Sequence, residues 1–198
     1  MASCASASHG SRCFRVPSPC NNTSLLARIG FLRTDAADGK EELFDTVFVY
    51  LHGFPDMAVD YRPGRHGAYA SRLPRKLNEA LVEKSPRAAF VCFNFSGIPG
   101  SDENFPFVRK SISAEVADAV AVVNFVKDNH LRPSGSIHII GLSTGAIVAS
   151  LLRGILPAQN ESCSITITVI AGLLDLKTGL QYDFDESQAS VHDPPLAI

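Results

Sequence analysis

Several features that would assign this chain to a class at once are missing. None of its five cysteines forms a C-x-x-C pair. Cys4, Cys13 and Cys20 lie in the polar start, and Cys92 and Cys163 lie in or beside strand-like runs. That usage fits reduced thiols in an intracellular compartment better than a disulfide framework or a zinc site. The first 34 residues contain no Asp or Glu and no apolar core of the kind a secretory signal needs. Their serines, with Arg12, Arg15, Arg28 and Arg33, have a composition compatible with organellar targeting. A disordered cytosolic tail over residues 1–22 is the simpler reading, with a folded domain over 23–198. A net charge of -2 gives no electrostatic reason to bind nucleic acid or an anionic membrane. The apolar run Ile137 to Leu152 is shorter than the roughly 18 to 20 residues of a membrane span and is interrupted by Ser143, Thr144 and glycines.

What is present is a pattern of buried strands. LFDTVFVYL (Leu43 to Leu51), AAFVCFNF (Ala88 to Phe95), SIHIIGL (Ser136 to Leu142) and ITITVIA (Ile165 to Ala171) are near-continuous apolar runs rich in Phe, Val and Ile. A parallel sheet covered on both faces requires such runs. Leu25 to Leu32 is a weaker, earlier candidate. Between them, Tyr69, Leu73, Leu77, Ala80 and Leu81 recur at helical spacing. Ser113 to Lys127 places Val116, Ala119, Val120, Val123 and Val126 on one face, with Glu115 in the first turn facing the helix dipole. Ala146 to Ile155 gives a third helix. Alternating strands and helices predict an α/β fold, a mostly parallel sheet with helices on both faces. After Ala171 the pattern fades, so ITITVIA is expected to form an apolar sheet edge carrying no Lys or Pro.

The chemistry is concentrated in Gly141-Leu142-Ser143-Thr144-Gly145. A strand precedes this G-x-S-x-G and a helix follows it, the setting in which glycines let the turn close and lift a serine clear at the carboxyl edge of a sheet. The competing reading makes Ser143 a helix N-cap. A phosphate loop is excluded because no Lys follows the glycine. Upstream, LFDTVFVYL ends in His52-Gly53-Phe54-Pro55. Acyl transfer needs two N–H groups aimed at the developing oxyanion. Thr144 and Phe54 are the candidates, with Gly53 letting the backbone turn inward. His52 reads as a brace for that loop rather than a general base. A third stretch, Asn94-Phe95-Ser96-Gly97-Ile98-Pro99-Gly100-Ser101, forms a glycine turn without the G-x-G-x-x-G of dinucleotide binders.

In this order, the three motifs resemble the α/β-hydrolase family, in its esterase and serine-aminopeptidase-like branch, over about residues 25 to 172. HGFP resembles the family's oxyanion loop, NFSGIPGS its turn after the fourth strand, and GLSTG its nucleophile elbow. HGFPD is also similar to epoxide hydrolases, which place aspartate where this chain has Ser143. The resemblance implies a serine hydrolase of esters, thioesters or amides with a small acyl substrate and no metal or organic cofactor. The family order places an acid and then a histidine downstream of the nucleophile. Here the chain offers Asp175 and His192, the latter being the one histidine after Ser143. The last strands of the family fold find no counterpart in the remaining sequence. Two functions therefore stay open: a serine hydrolase, or a shortened, non-catalytic derivative acting as a binding module or an incomplete product. Phe54, Phe105 and Phe107 are candidates for the mouth of an acyl pocket.

Overall fold

A computed structural model describes residues 8–18, 23–33, 43–54, 56–101, 110–156 and 163–171. The strands are β1 (Ser8–Ser18), β2 (Thr23–Arg33), β3 (Phe44–Leu51), β4 (Ala88–Phe93), β5 (Leu131–Leu142) and β6 (Ser164–Ile170). Among the described residues, three helices, α1 (Arg72–Lys84), α2 (Ile112–Asn129) and α3 (Thr144–Leu152), lie between strands. The strands form one sheet in the order β1-β2-β4-β3-β5-β6. The four strands β4, β3, β5 and β6 run parallel, β2 pairs antiparallel with β4, and β1 pairs antiparallel with β2.

Both faces of the sheet are covered, as the apolar runs require. On one face Val47, Val49, Val91, Phe93, Ile137 and Ile139 pack with Val122 and Val126 of α2 and Val148 and Leu152 of α3. On the other, Tyr50, Phe90, Cys92 and Ile140 pack with Leu77, Leu81 and Val82 of α1. The central strand β4 is buried at every residue. Among the described residues, no helix is long and apolar enough to cross a membrane.

The expected disordered tail is corrected, since residues 8–18 of it form β1, paired with β2 along its whole length. The sheet therefore begins at Ser8, not at residue 23. An edge strand needs only one buried face, so a period-2 pattern suffices. Gly10, Phe14, Val16 and Ser18 supply it, alternating with Ser11, Cys13, Arg15 and Pro17. Gly10 has no Cβ because the Phe31 ring fills that space, and Phe14 stacks on Phe125 of α2 at 5.3 Å. The exposed Pro17 is tolerated because the strand lies at the sheet edge.

Two helix faces also differ from their expected composition. In α1 the buried residues are Pro74, Asn78 and Val82, while Leu73 is exposed. Gly30 of β2 leaves the space into which Asn78 and Tyr69 project. In α2, Val122 is buried and Val120 only half-buried, and Glu115 and Asp118 are buried with the valines. This helix is packed by β1, β3 and β5 of the sheet and by α3 beside it, so its buried arc is wider than one stripe. Among the described residues β6 lies at the sheet edge, as expected for ITITVIA, paired with β5 and exposing Val169 and Ile170.

Asp118 joins three elements. Its carboxylate accepts bonds from Ser18 Oγ at 2.8 Å, the Ser96 N–H at 2.8 Å and Ser96 Oγ at 3.1 Å. Burial pushes its pKa up, and the bonds from Ser96 and Ser18 oppose that shift. Asp118→Ala strands these buried donors and is expected to cost about 3 kcal/mol or more. The loss should be read as a lower urea midpoint at unchanged slope.

Candidate active site

The site is built from the carboxyl ends of β3 and β5. Where β5 gives way to α3, Ser143 has φ 53° and ψ −119°. That is left-handed backbone, which costs a non-glycine residue on the order of 1–3 kcal/mol and persists only where its surroundings impose it. They do so on both sides. A Cβ on Gly141 would come within 2.7 Å of Ala146 Cα, and one on Gly145 within 2.6 Å of the His52 carbonyl oxygen. The turn is tied down by the Ser143 N–H, which donates to the Ile170 carbonyl at 3.0 Å, and by the Ala146 N–H, which donates to the Ser143 carbonyl at 2.9 Å.

Ser143 precedes α3 at the N-cap position, yet its side chain makes no capping hydrogen bond. The N-cap reading of this serine is therefore set aside. Ser111 shows the contrast, accepting from the Ala114 N–H at 3.2 Å ahead of α2. The Ser143 hydroxyl stands beside the loop that follows β3. A Cβ on Gly53 would lie 3.0 Å from Ser143 Cβ and 3.6 Å from its Oγ, so only a glycine lets this loop pass so near.

Phe54 follows Gly53, and its N–H donates to Thr144 Oγ1 at 2.8 Å. The Phe54 ring is exposed. Thr144 is the first residue of α3, so its own N–H has no intrahelical acceptor. The sequence-predicted residues Ser143, Thr144, Gly141, Gly145, Gly53, Phe54 and His52 are thus brought together. Asp175 and His192 lie outside the described residues, as do Pro55, Phe105 and Phe107.

His52 is buried and committed to the loop. Its Nδ1 lies 2.8 Å from the Gly53 carbonyl, and its Nε2 accepts from the Phe95 N–H at 3.4 Å. These bonds define a neutral ring protonated on Nδ1. Burial lowers its pKa from 6.5 to about 4; the Gly53 bond opposes the shift and the Lys110 charge adds to it. Three other described histidines are engaged elsewhere. His130 ends α2 beside Arg12, His9 faces Glu83, and His138 meets the Thr166 hydroxyl while stacking on Phe48 at 5.2 Å. His138 is half-buried on the sheet face. Among the described residues, no histidine is hydrogen-bonded to Ser143, and no group of three His, Cys, Asp or Glu side chains could hold a metal ion.

Sequence reasoning missed the braces behind the site. Asn94 Oδ1 accepts from the Ala58 and Val59 N–H groups at 2.9 Å, and its Nδ2 donates to the Val59 and Pro99 carbonyls at 2.8 and 3.0 Å. Ser101 Oγ accepts from the Leu26 N–H at 3.0 Å and donates to the Asn94 carbonyl. Lys110 forms a buried pair with Glu115 at 2.5 Å and lies 5.0 Å above the Phe95 ring. The one available signal was an Asn closing an apolar strand, where its amide can satisfy loop backbone.

Comparison with solved structures gives matches that share this architecture. A provisionally assigned hydrolase from Agrobacterium vitis is 17% identical with a TM-score of 0.51, over 90% of this chain and 62% of that one. An esterase from Pyrococcus furiosus is 19% identical with a TM-score of 0.50, over 81% of this chain and 51% of that one. A post-proline cleaving enzyme from Rickettsia typhi is 17% identical with a TM-score of 0.53, over 82% of this chain and 21% of that one. The chain has the α/β-hydrolase fold, and it spans less than two thirds of the length of these proteins. No protein-family model matches the sequence, and no curated protein matches it significantly.

Two predictions follow from this geometry. Gly145→Ala drives a methyl into the Leu51 and His52 carbonyls and is expected to lower stability by about 3 kcal/mol. Gly154→Ala, where the nearest atom lies 3.8 Å away, should leave the urea midpoint in place. The second concerns pH. Between 6.5 and about 4 the unfolded chain binds more protons at His52 than the folded one, so the contribution of His52 is full above this window and lost as pH falls through it. The loss amounts to about 3 kcal/mol. Glu115 and Asp118, raised by burial, act with the opposite sign, their contribution being present in acid and declining as pH rises. The pH dependence of parent minus His52→Asn stability isolates the histidine.

Proposed function

We propose that the chain is a serine hydrolase acting on a carboxylic ester, thioester or amide. The observation that carries this reading is Ser143, held at φ 53° with no capping bond and pressed against Gly53 of the facing loop. Ser143 Oγ attacks the acyl carbon as a histidine takes its proton, and the Thr144 and Phe54 amides donate to the oxyanion that forms. The histidine then returns the proton to the leaving group, and water releases the acid. His192, with Asp175, is the downstream candidate for that base and its orienting acid. The free thiols of the buried Cys92 and Cys163 support an intracellular, cytoplasmic setting.

A second reading, a non-catalytic derivative that binds acyl compounds, is favoured by the absence of a histidine bonded to Ser143 among the described residues. A fluorophosphonate probe separates the two. Covalent labelling of the purified 198-residue chain is expected, abolished by Ser143→Ala, with intact mass as the readout. A folded parent that stays unlabelled establishes the second reading.

A further inference from the structure

The serine-hydrolase reading asks the Phe54 N–H to meet an oxyanion, but in this structure that N–H already has an acceptor. Thr144 Oγ1 lies 2.8 Å from it. An oxyanion-hole donor works at about 2.7–3.1 Å from its oxygen, so the hydroxyl occupies the position that the reacting oxygen must take. One N–H directs one strong, near-linear bond, and the two acceptors compete for it.

The arrangement leaves one part able to move. The backbone on both sides of the contact is fixed, by the Gly141 and Gly145 packing at Ser143 and by the Gly53 approach to its side chain. Thr144 stands in the first turn of α3, and a helical threonine has two χ1 wells available. Rotation of that one side chain withdraws the hydroxyl without disturbing the turn.

We propose that the Thr144 hydroxyl is a built-in occupant of the oxyanion hole, one that holds the Phe54 amide in the resting site and is displaced by the reacting acyl oxygen. This inference rests on the serine-hydrolase reading. The magnitudes allow the displacement. A neutral hydrogen bond shifts an equilibrium by about 2- to 10-fold, whereas one oxyanion-hole donor contributes on the order of 10²- to 10³-fold in rate. The oxyanion therefore wins the amide, and the hydroxyl slows the step by the smaller factor.

The test compares Thr144→Val, which keeps the branched shape but loses the acceptor, with Thr144→Ser, which keeps it. The maximal rate of fluorophosphonate labelling at Ser143 is expected to rise about 3- to 10-fold in Thr144→Val and to remain at the parent value in Thr144→Ser. The Phe54 amide, followed by NMR hydrogen exchange, is expected to exchange faster in Thr144→Val and at the parent rate in Thr144→Ser. A labelled parent whose Thr144→Val variant is labelled no faster overturns the occupant and leaves the hydrolase reading standing. An unlabelled parent and variants, with accelerated exchange in Thr144→Val, overturns the hydrolase reading and leaves the hydrogen bond standing. Unchanged exchange in Thr144→Val overturns the occupant whatever the labelling does.

Discussion

The site rests on one backbone conformation, the left-handed turn at Ser143. A residue with a Cβ does not adopt φ 53° without compensation, and here the compensation comes from packing rather than from the serine's own hydroxyl. Gly141 and Gly145 allow β5 and α3 to approach until backbone touches backbone, and the Ile170 carbonyl of β6 accepts the Ser143 N–H. The same contacts couple the elbow to its neighbour. Gly145 lies against the His52 carbonyl and Gly53 against Ser143, so the turn and the loop after β3 cannot move independently. A reactive-looking serine and a candidate oxyanion loop are thus consequences of a single close approach between strand and helix.

Behind that contact lies a polar layer that fixes the loops at the carboxyl ends of the strands. Asn94 satisfies two amides and two carbonyls of the surrounding loops, and Asp118 holds both Ser18 and Ser96. His52 bridges Gly53 and Phe95, whose ring in turn lies under Lys110, the partner of Glu115. Buried polar groups left unpaired cost on the order of 1–3 kcal/mol each. The pairs made by Asn94, Asp118 and His52 therefore hold their loops in one arrangement, because any other arrangement leaves these donors and acceptors unmatched.

How much of this was legible in the sequence follows from what each signal encodes. Runs of β-branched and aromatic residues marked β3, β4 and β5, since strands buried on both faces have little polar content; the β-branched run of β6 marked it too, although its residues are half-buried or exposed. The elbow was legible because its glycines are steric requirements of adjacent backbone. β1 was not: its core side is Gly10, Phe14, Val16 and Ser18, and serines and arginines dominate the composition around them. Glu115 is adjacent to the helix dipole as expected, but its main partner is a buried Lys110, a contact that periodicity does not contain. Asn94 at the end of an apolar strand was a local signal, but Asp118 and the Thr144 hydroxyl act through residues between 22 and 100 positions away, so no local pattern announces them.

The division between what this site contains and what it needs can be put in rate terms. Serine at its ordinary pKa is a weak nucleophile, and a base is required to take its proton as it attacks. Positioning and oxyanion donors alone leave about 10³- to 10⁴-fold catalysis over water when triad members are removed from a complete enzyme. The described residues present a serine and two amides in one place, while His52, the nearest histidine in the motif, is held neutral with both ring nitrogens engaged. Recruiting it as a base would break two hydrogen bonds of the loop that carries the Phe54 amide, disturbing one of the two candidate oxyanion donors. A turnover enzyme on this scaffold must therefore draw its base from a different segment, one that approaches Ser143 without passing through the loop after β3.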